Sequence, residues 1–335
     1  VVFAPPPRCQ FDSLQLAASG ETAVSDLMAA LALQQLIAAS RDADSPQLES
    51  LDARIRASIR LLISMQNRDG GWSWTGRSTQ SDPYSSARLL WAFHQAKQAG
   101  YRLSDVGLNA AARFVEQQLS QTRLTDFETK AILLHALAAA GRADFPLANQ
   151  LDRNRNDLST AGLPYLTLAF IELDRKQTAE ELLTLVADRD LTSDAPNGQA
   201  RVGALPLCRA ETQRRALYAL ALDAVAPADA RLKQQVDWLM AHRTGHRWSP
   251  DQATGPAMQA VCRGFARTRF AGERYRLTLF VNDLKVREIE VDADSPTQTI
   301  DVPSELLAKQ GRQQVRFEIT GRGRYSYQCT LGGFV

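Results

Sequence analysis

Three groupings of residues in this chain have the types and spacing that could do chemistry. The first is cysteine: Cys9, Cys208, Cys262 and Cys329 lie far apart, with no C-x-x-C pair and no zinc-ligand spacing. They read as buried free thiols, with one disulfide as the alternative. The second is the pair of acidic strings Asp42-Ala43-Asp44-Ser45 and Asp292-Ala293-Asp294-Ser295. An acid cluster can protonate an alkene, but one string lies in a linker before a helix cap and the other in a β unit, and both read as solvated turn residues. The third is histidine. His242 and His246 are, with Cys208, the only pieces of a zinc site, yet Gly245 and a helix end at Arg243 break their shared face. His94 and His135 follow apolar helix positions and read as core or seam histidines rather than bases. Arg214-Arg215 and Arg153 with Arg155 read as solvated charges. No catalytic constellation, metal site or cofactor is expected.

The elements that must position these residues belong to a chain of 335 residues, 44% hydrophobic and 23% charged, with 39 basic against 37 acidic side chains. That balance fits a folded soluble protein and argues against disorder or a disulfide-stapled miniprotein. A net charge of +2 without a basic cluster gives no footprint for nucleic acid. No apolar run approaches the roughly 18 to 20 residues that a membrane span needs. The sequence opens on Val1-Val2-Phe3, without Met or a secretory-type apolar stretch, and reads as a segment of a longer or processed protein.

From about residue 21 to 270 apolar residues recur at helical spacing, giving ten or eleven helices. Ser45-Pro46 and Asp82-Pro83 read as N-cap plus first-turn proline. Thr125-Asp126-Phe127-Glu128 matches a capping box, and Gly100 and Gly141 read as helix ends. Further helices are expected near 104–119, 158–173, 177–187, 210–225, 228–242 and 256–269. Alanines at 29, 30 and 32, at 136 and 138–140, and at 216, 219 and 221 allow close helix approach, as concentric or stacked helical pairs demand. At about Glu273 the period changes to two. Tyr275, Leu277, Leu279 and Val281 alternate with Arg276, Thr278 and Phe280, Asn282-Asp283 turns the chain, and further strands are expected at 286–291, 299–302, 314–319 and 324–330. This antiparallel unit is too small and edge-rich to be complete, so it is expected to pair with strands outside this sequence. Two junctions repeat: Gln66-Asn67-Arg68-Asp69-Gly70-Gly71-Trp72-Ser73-Trp74, and His246-Arg247-Trp248-Ser249-Pro250.

The first junction, followed by S-D-P-Y-S-S-A-R-L-L-W-A-F, resembles the helix-loop-helix unit of α/α toroids. Toroids occur in terpene cyclases, protein prenyltransferases, some polysaccharide lyases and the thioester domain of alpha-2-macroglobulins. Gly70 and Gly71 permit backbone conformations closed to other residues, and Trp72 and Trp74 can cover the inter-helix seam, a structural role. The strands R-L-T-L-F-V-N-D-L-K-V-R-E-I-E-V directly after the helices resemble the way bacterial alpha-2-macroglobulins re-enter the split β-sandwich that carries their thioester domain. S-G-E-T-A-V-S-D-L-M-A-A-L-A-L resembles the first helix of that domain, which in active members opens G-C-x-E-Q. Aligned on Leu27-Met28, Ser19 falls on the motif's Cys, Glu21 on its Glu and Thr22 on its Gln. Thioester chemistry needs a thiol and a carboxamide three residues on, and Ser19 with Thr22 supplies neither.

The resemblance therefore implies a mainly α fold: an extended segment over 1–18, an α/α toroid of about 10–12 helices over 19–271, and an antiparallel portion of a split, CUB-like sandwich over 272–335. It implies a non-enzymatic domain of a periplasmic or cell-surface, bacterial alpha-2-macroglobulin-like peptidase inhibitor of the bacterial-defence type, lacking covalent capture. Sister domains of the same chain and peptidases or other periplasmic proteins would be its partners. A toroid enzyme acting on an isoprenoid or polysaccharide is the alternative, and would show titratable groups converging in the ring's mouth. A tetratricopeptide scaffold ranks last, because no 34-residue period is visible.

Overall fold

A computed structural model describes residues 2–4, 19–39, 46–76, 78–192, 210–245, 247–268, 274–292, 295, 298–308, 311–322 and 326–329. The chain divides into two compact units, one of residues 13–264 and one built from both chain ends, residues 1–12 and 265–335.

The helical unit contains eleven α-helices among the described residues: α1 (Gly20–Ala38), α2 (Pro46–Ser64), α3 (Pro83–Gln98), α4 (Asp105–Gln121), α5 (Phe127–Ala139), α6 (Phe145–Arg153), α7 (Gly162–Glu172), α8 (Lys176–Ala187), α9 (Glu211–Val225), α10 (Ala230–Ala241) and α11 (Thr254–Thr268). Burial sorts them into two classes, α2 joining the one-stripe class through Leu51, Ile55, Ile59 and Leu62, and α11 the wholly buried class over residues 254–262. Helices α1, α3, α5, α7 and α9 are buried around nearly their whole circumference, as in the unbroken run Thr129–Ala139 of α5. Helices α4, α6, α8 and α10 bury one stripe only, such as Ala179, Leu182, Leu183 and Val186 of α8. The first class forms an inner ring, α1 against α3, α3 against α5, α5 against α7 and α7 against α9; the second lies outside it, each helix against its sequence neighbours. A single 3-10 turn, Asp251–Ala253, touches both α9 and α1 and closes the circle. This is an α/α toroid. Ala29, Ala30, Ala136, Ala216, Ala219 and Ala221 are almost fully buried within the ring, where small side chains let the inner helices approach one another.

Local signals account for most helix ends. Asp82 caps α3, its Oδ1 accepting the Ser85 amide at 2.7 Å, with Pro83 in the first turn. Gly100 and Gly141 adopt φ of +91° and +67°, and the amides that follow reach back to Ala96 and Leu137, which are Schellman closures. The capping box at Thr125 does not form. Asp126 is the N-cap of α5 and accepts the Thr129 amide at 3.1 Å, while Glu128 turns away to accept the Ser159 amide before α7. Helix α6, behind Asp144-Phe145-Pro146, has no counterpart in the sequence reading; at nine residues, with two fully buried, its period is too short to register.

Among the described residues the second unit holds two three-stranded antiparallel sheets, ordered β3-β2-β5 and β4-β1-β6, from β1 (Val2–Ala4), β2 (Arg274–Val281), β3 (Leu284–Asp292), β4 (Gln298–Thr299), β5 (Val315–Arg322) and β6 (Ser326–Gln328). Strands β2 and β3 are joined by Asn282-Asp283 at φ of +49° and +65°, the two-residue geometry that the right-handed strand twist favours. Tyr275, Leu277, Leu279 and Val281 face a core shared with Ile289 and Ile300, and the Phe317 and Tyr327 rings of β5 and β6 lie 4.5 Å apart. The central strand of the smaller sheet was not foreseen. Val2–Ala4, read as part of an extended approach segment, pairs with both β4 and β6, because strand partners distant in sequence leave no local signal.

Candidate functional site

Helix α1 begins at Ser19-Gly20-Glu21-Thr22, the segment that the resemblance aligns with the thioester motif. Ser19 has the extended backbone of an N-cap, and its Oγ accepts the Thr22 amide at 3.3 Å. The Ser19 and Thr22 hydroxyls also share a hydrogen bond of 2.9 Å, so the three-residue spacing brings these two side chains into contact on one helical turn. The described partners of Ser19 Oγ are an amide and a hydroxyl, and neither is a base able to take its proton.

Glu21 faces inward and is buried, where the dipole of the first turn favours a carboxylate. Its partner is Arg88 of α3, itself 1% exposed, which also donates to the Gln252 carbonyl at 2.8 Å and to Ser25 Oγ at 3.3 Å. One further turn along α1, buried Asp26 takes Arg54 of α2 at 3.2 Å and Arg247, and Arg247 also grips Asp251. Burial raises the Asp26 carboxyl above its ordinary value, while Arg247 and Arg54 pull it back. These carboxylates are held by guanidinium groups and serve as buried ion pairs rather than as proton donors.

The aromatic loop packs against the same end of α1. A Cβ at Gly20 would lie 3.6 Å from Gly76 Cα and the Ser73 carbonyl oxygen. Within the loop, Trp72 is buried, its indole donates to the Leu62 carbonyl at 2.7 Å, and its amide donates to Ser86 Oγ at 2.9 Å. Gly70 sits at φ +90°, and a Cβ there would come within 2.5 Å of the Ala110 carbonyl oxygen, so only glycine fits. Trp74 stacks 6.5 Å from Tyr84. The second junction repeats the device: the Trp248 indole donates to the Leu239 carbonyl at 2.7 Å, and its amide to Thr254 Oγ1 at 3.1 Å. In both, tryptophan ties an outer helix's last turns to the hydroxyl of the next inner helix.

Deeper in the ring, Gln213 of α9 donates to the Tyr84 hydroxyl at 3.0 Å and the Tyr165 hydroxyl at 2.8 Å. His135 of α5 lies between Trp91 and Tyr165, with ring centroids 4.7 and 5.5 Å away. Complete burial pushes its pKa down to about 3, so it is a neutral core imidazole at physiological pH. Burial also lowers His94, with Lys97 nearby adding to the effect. His242 is exposed and stacks 3.7 Å from Trp238. His246, Cys208, Cys9 and the string at Asp42 lie outside the described residues. Asp292 is the exposed last residue of β3, accepting from Ser295 Oγ at 2.7 Å. Cys262 is a buried thiol, whereas Cys329 is exposed, against the expectation for that residue. Among the described residues no group of three or more His, Cys, Asp or Glu could hold a metal ion, and no helix is long and apolar enough to cross a membrane.

One reading of the charges is corrected. Arg214 is not solvated: it is buried and donates to the Leu191 and Thr192 carbonyls, each at 2.9 Å, pinning the connection before α9. Lys130 and Arg189 likewise donate to the carbonyls of Leu124 and Leu158 in the connections before α5 and α7. The sequence reading missed Asp26, Arg88, Arg247 and Gln213. For Asp26 and Arg88 the available signal was a charged residue inside a largely buried helix, because such a charge must find a partner across the core; Arg247, outside any helix, and the uncharged Gln213 carried no such signal.

No family model and no curated protein sequence matches the chain. Solved structures do. Native alpha-2-macroglobulin from Escherichia coli, spanning domain MG7 to the C-terminus, superposes with a TM-score of 0.63 at 14% identity, over 95% of this chain and 47% of that one. Escherichia coli alpha-2-macroglobulin activated by porcine elastase gives 0.58 at 15% identity, over 88% of this chain and 28% of that one. Salmonella alpha-2-macroglobulin reacted with methylamine gives 0.60 at 15% identity, over 96% of this chain and 22% of that one. At these identities the likeness is one of fold, and the chain spans less than half the length of each of these molecules.

Proposed function

We propose that this chain is a domain of a bacterial alpha-2-macroglobulin-like protein whose helical ring occupies the place of the thioester domain but carries no thioester. Residues 19–271 would form that domain, and residues 272–335, with the strand at the N-terminal end, part of the adjoining sandwich. The observation that carries the reading is the start of α1, where Ser19 and Thr22 touch through their hydroxyls at the two positions that thioester chemistry assigns to a thiol and a carboxamide. A hydroxyl pair stores no electrophile, so the domain would act by docking against sister domains or a partner protein, in the periplasm or at the cell surface, within a non-covalent peptidase trap. The paired state of Glu21 and Asp26 and the neutrality of His135 favour this over a toroid enzyme.

Intact-mass measurement before and after methylamine tests the central point. The expected mass is unchanged; a gain of one methylamine with release of a thiol would refute the proposal. The inhibitory role is tested on the full-length parent protein, which should shift in size on incubation with trypsin or elastase and shield the enzyme from a large substrate. Full peptidase activity toward that substrate would reject the trap.

A further inference from the structure

Neighbouring inner helices from α1 to α9 are separated in sequence by one outer helix, so chain connectivity holds each such pair together. The contact between α1 and the segment leading into α11 has no such tether, since the two lie at opposite ends of the helical unit. Closing it carries the largest loop-entropy cost in the ring, and the side chains that close it are charged. Arg247 reaches from residues 247–253 to Asp26 of α1, whose side chain is 4% exposed, and its second nitrogen holds Asp251. Arg88, paired with Glu21 one turn earlier, donates to the Gln252 carbonyl of the same segment. Just beyond, Gly255 opens α11 so close to α1 that a Cβ would sit 2.9 Å from Met28 Cβ, and the Gln95 and Gln259 amides pair across α3 and α11. The remaining inner contacts, those of Ala257, Met258, Ala260 and Val261 of α11 included, are dominated by apolar side chains.

We propose that residues 247–253 are a strap, pinned by Arg247 to Asp26, which closes the ring at one seam and whose release frees α11 while the remaining inner helices stay folded. Buried ion pairs suit this role. They hold firmly while complete, and of the two arginines on Asp26 only Arg247 comes from the strap, so its loss unpins the strap while Arg54 still pairs Asp26.

Hydrogen exchange read by mass spectrometry on the full chain tests the strap. In Arg247→Gln, amides of α11 are expected to exchange about tenfold faster or more, while those of α5 and α7 change by less than about twofold. Arg54→Gln removes the other arginine on Asp26 without touching the strap, and should loosen α2 but leave α11 protected. Arg247→Lys keeps the charge but cannot bridge two carboxylates with a planar fork, so a smaller acceleration confined to α11 is expected, which serves if the glutamine variant fails to fold. Unchanged protection in α11, a uniform acceleration across all inner helices, or equal release of α11 by Arg54→Gln would each overturn the proposal.

Discussion

Removing Arg88 from the Glu21–Arg88 pair should cost far more than removing both partners, and removing Glu21 alone at least as much as removing both. Both side chains are almost wholly buried, at 6% and 1% exposure, so each single substitution leaves a charge in a low-dielectric interior. Arg88→Met strands the Glu21 carboxylate and also leaves the Gln252 carbonyl and Ser25 hydroxyl without their donor. The stranded charge costs about 3–5 kcal/mol, and an orphaned buried acceptor about 1–3 kcal/mol more. Glu21→Leu is expected to cost about 3 kcal/mol, at the lower end, because Arg88 keeps two neutral acceptors. In the double variant no charge remains, and only the orphaned oxygens count, so the loss should fall to about 1–3 kcal/mol. The coupling between the two sites should therefore be about 3 kcal/mol or more in magnitude. Urea unfolding followed by far-UV circular dichroism, which reports the helical unit, measures all four corners of the cycle. Additive losses, with coupling below about 0.5 kcal/mol, would show that water reaches the pair and would refute the reasoning from burial.

The two tryptophan junctions should respond alike: Trp72→Phe and Trp248→Phe each delete an indole bond to a buried carbonyl and should each lower stability by about 1–3 kcal/mol in chemical unfolding, with a clear difference between them arguing against a shared device. Glycine substitutions should divide by surroundings. Gly100→Ala meets nothing within 4 Å and pays only for its φ of +91°, about 1–2 kcal/mol, whereas Gly70→Ala also drives a methyl into the Ala110 carbonyl and should cost about 1–3 kcal/mol beyond that in thermal unfolding. His135 makes acid unfolding steeper. Its native pKa of about 3 lies below the ordinary 6.5, so the stability it contributes is full above 6.5 and drains as pH falls towards 3. By pH 4 that loss reaches about 3 kcal/mol, so His135→Phe should flatten the acid limb of the stability curve; an unchanged limb would mean the imidazole protonates in the folded state.

Legibility followed the range of the interactions. Helices ended by a side chain on the same turn, as at Asp82-Pro83, or by a glycine that alone adopts positive φ, as at Gly100, were readable because cause and effect lie within six residues. The hairpin at Asn282-Asp283 was readable for the same reason. The capping box at Thr125 failed because the Ser159 amide, 31 residues away, competed for the Glu128 carboxylate and won. Strand β1 went unseen because both its partners lie near the other end of the chain. At the candidate site, Ser19, Glu21 and Thr22 were named from sequence, but the arginine that holds Glu21 comes from another helix.

The sequence by itself determined the helical periodicity, the change to strands near residue 273, the glycine and tryptophan junctions, and the serine and threonine three residues apart at positions 19 and 22, since each is written in residue types at short spacing. Tertiary structure alone decided which helices are inner, that residues 247–253 close the ring onto α1, and that Glu21 and Asp26 are buried ion-pair partners rather than acids. Those facts depend on which distant side chains a buried charge finds, and the cost of leaving that charge unpaired selects among arrangements that local propensity does not distinguish.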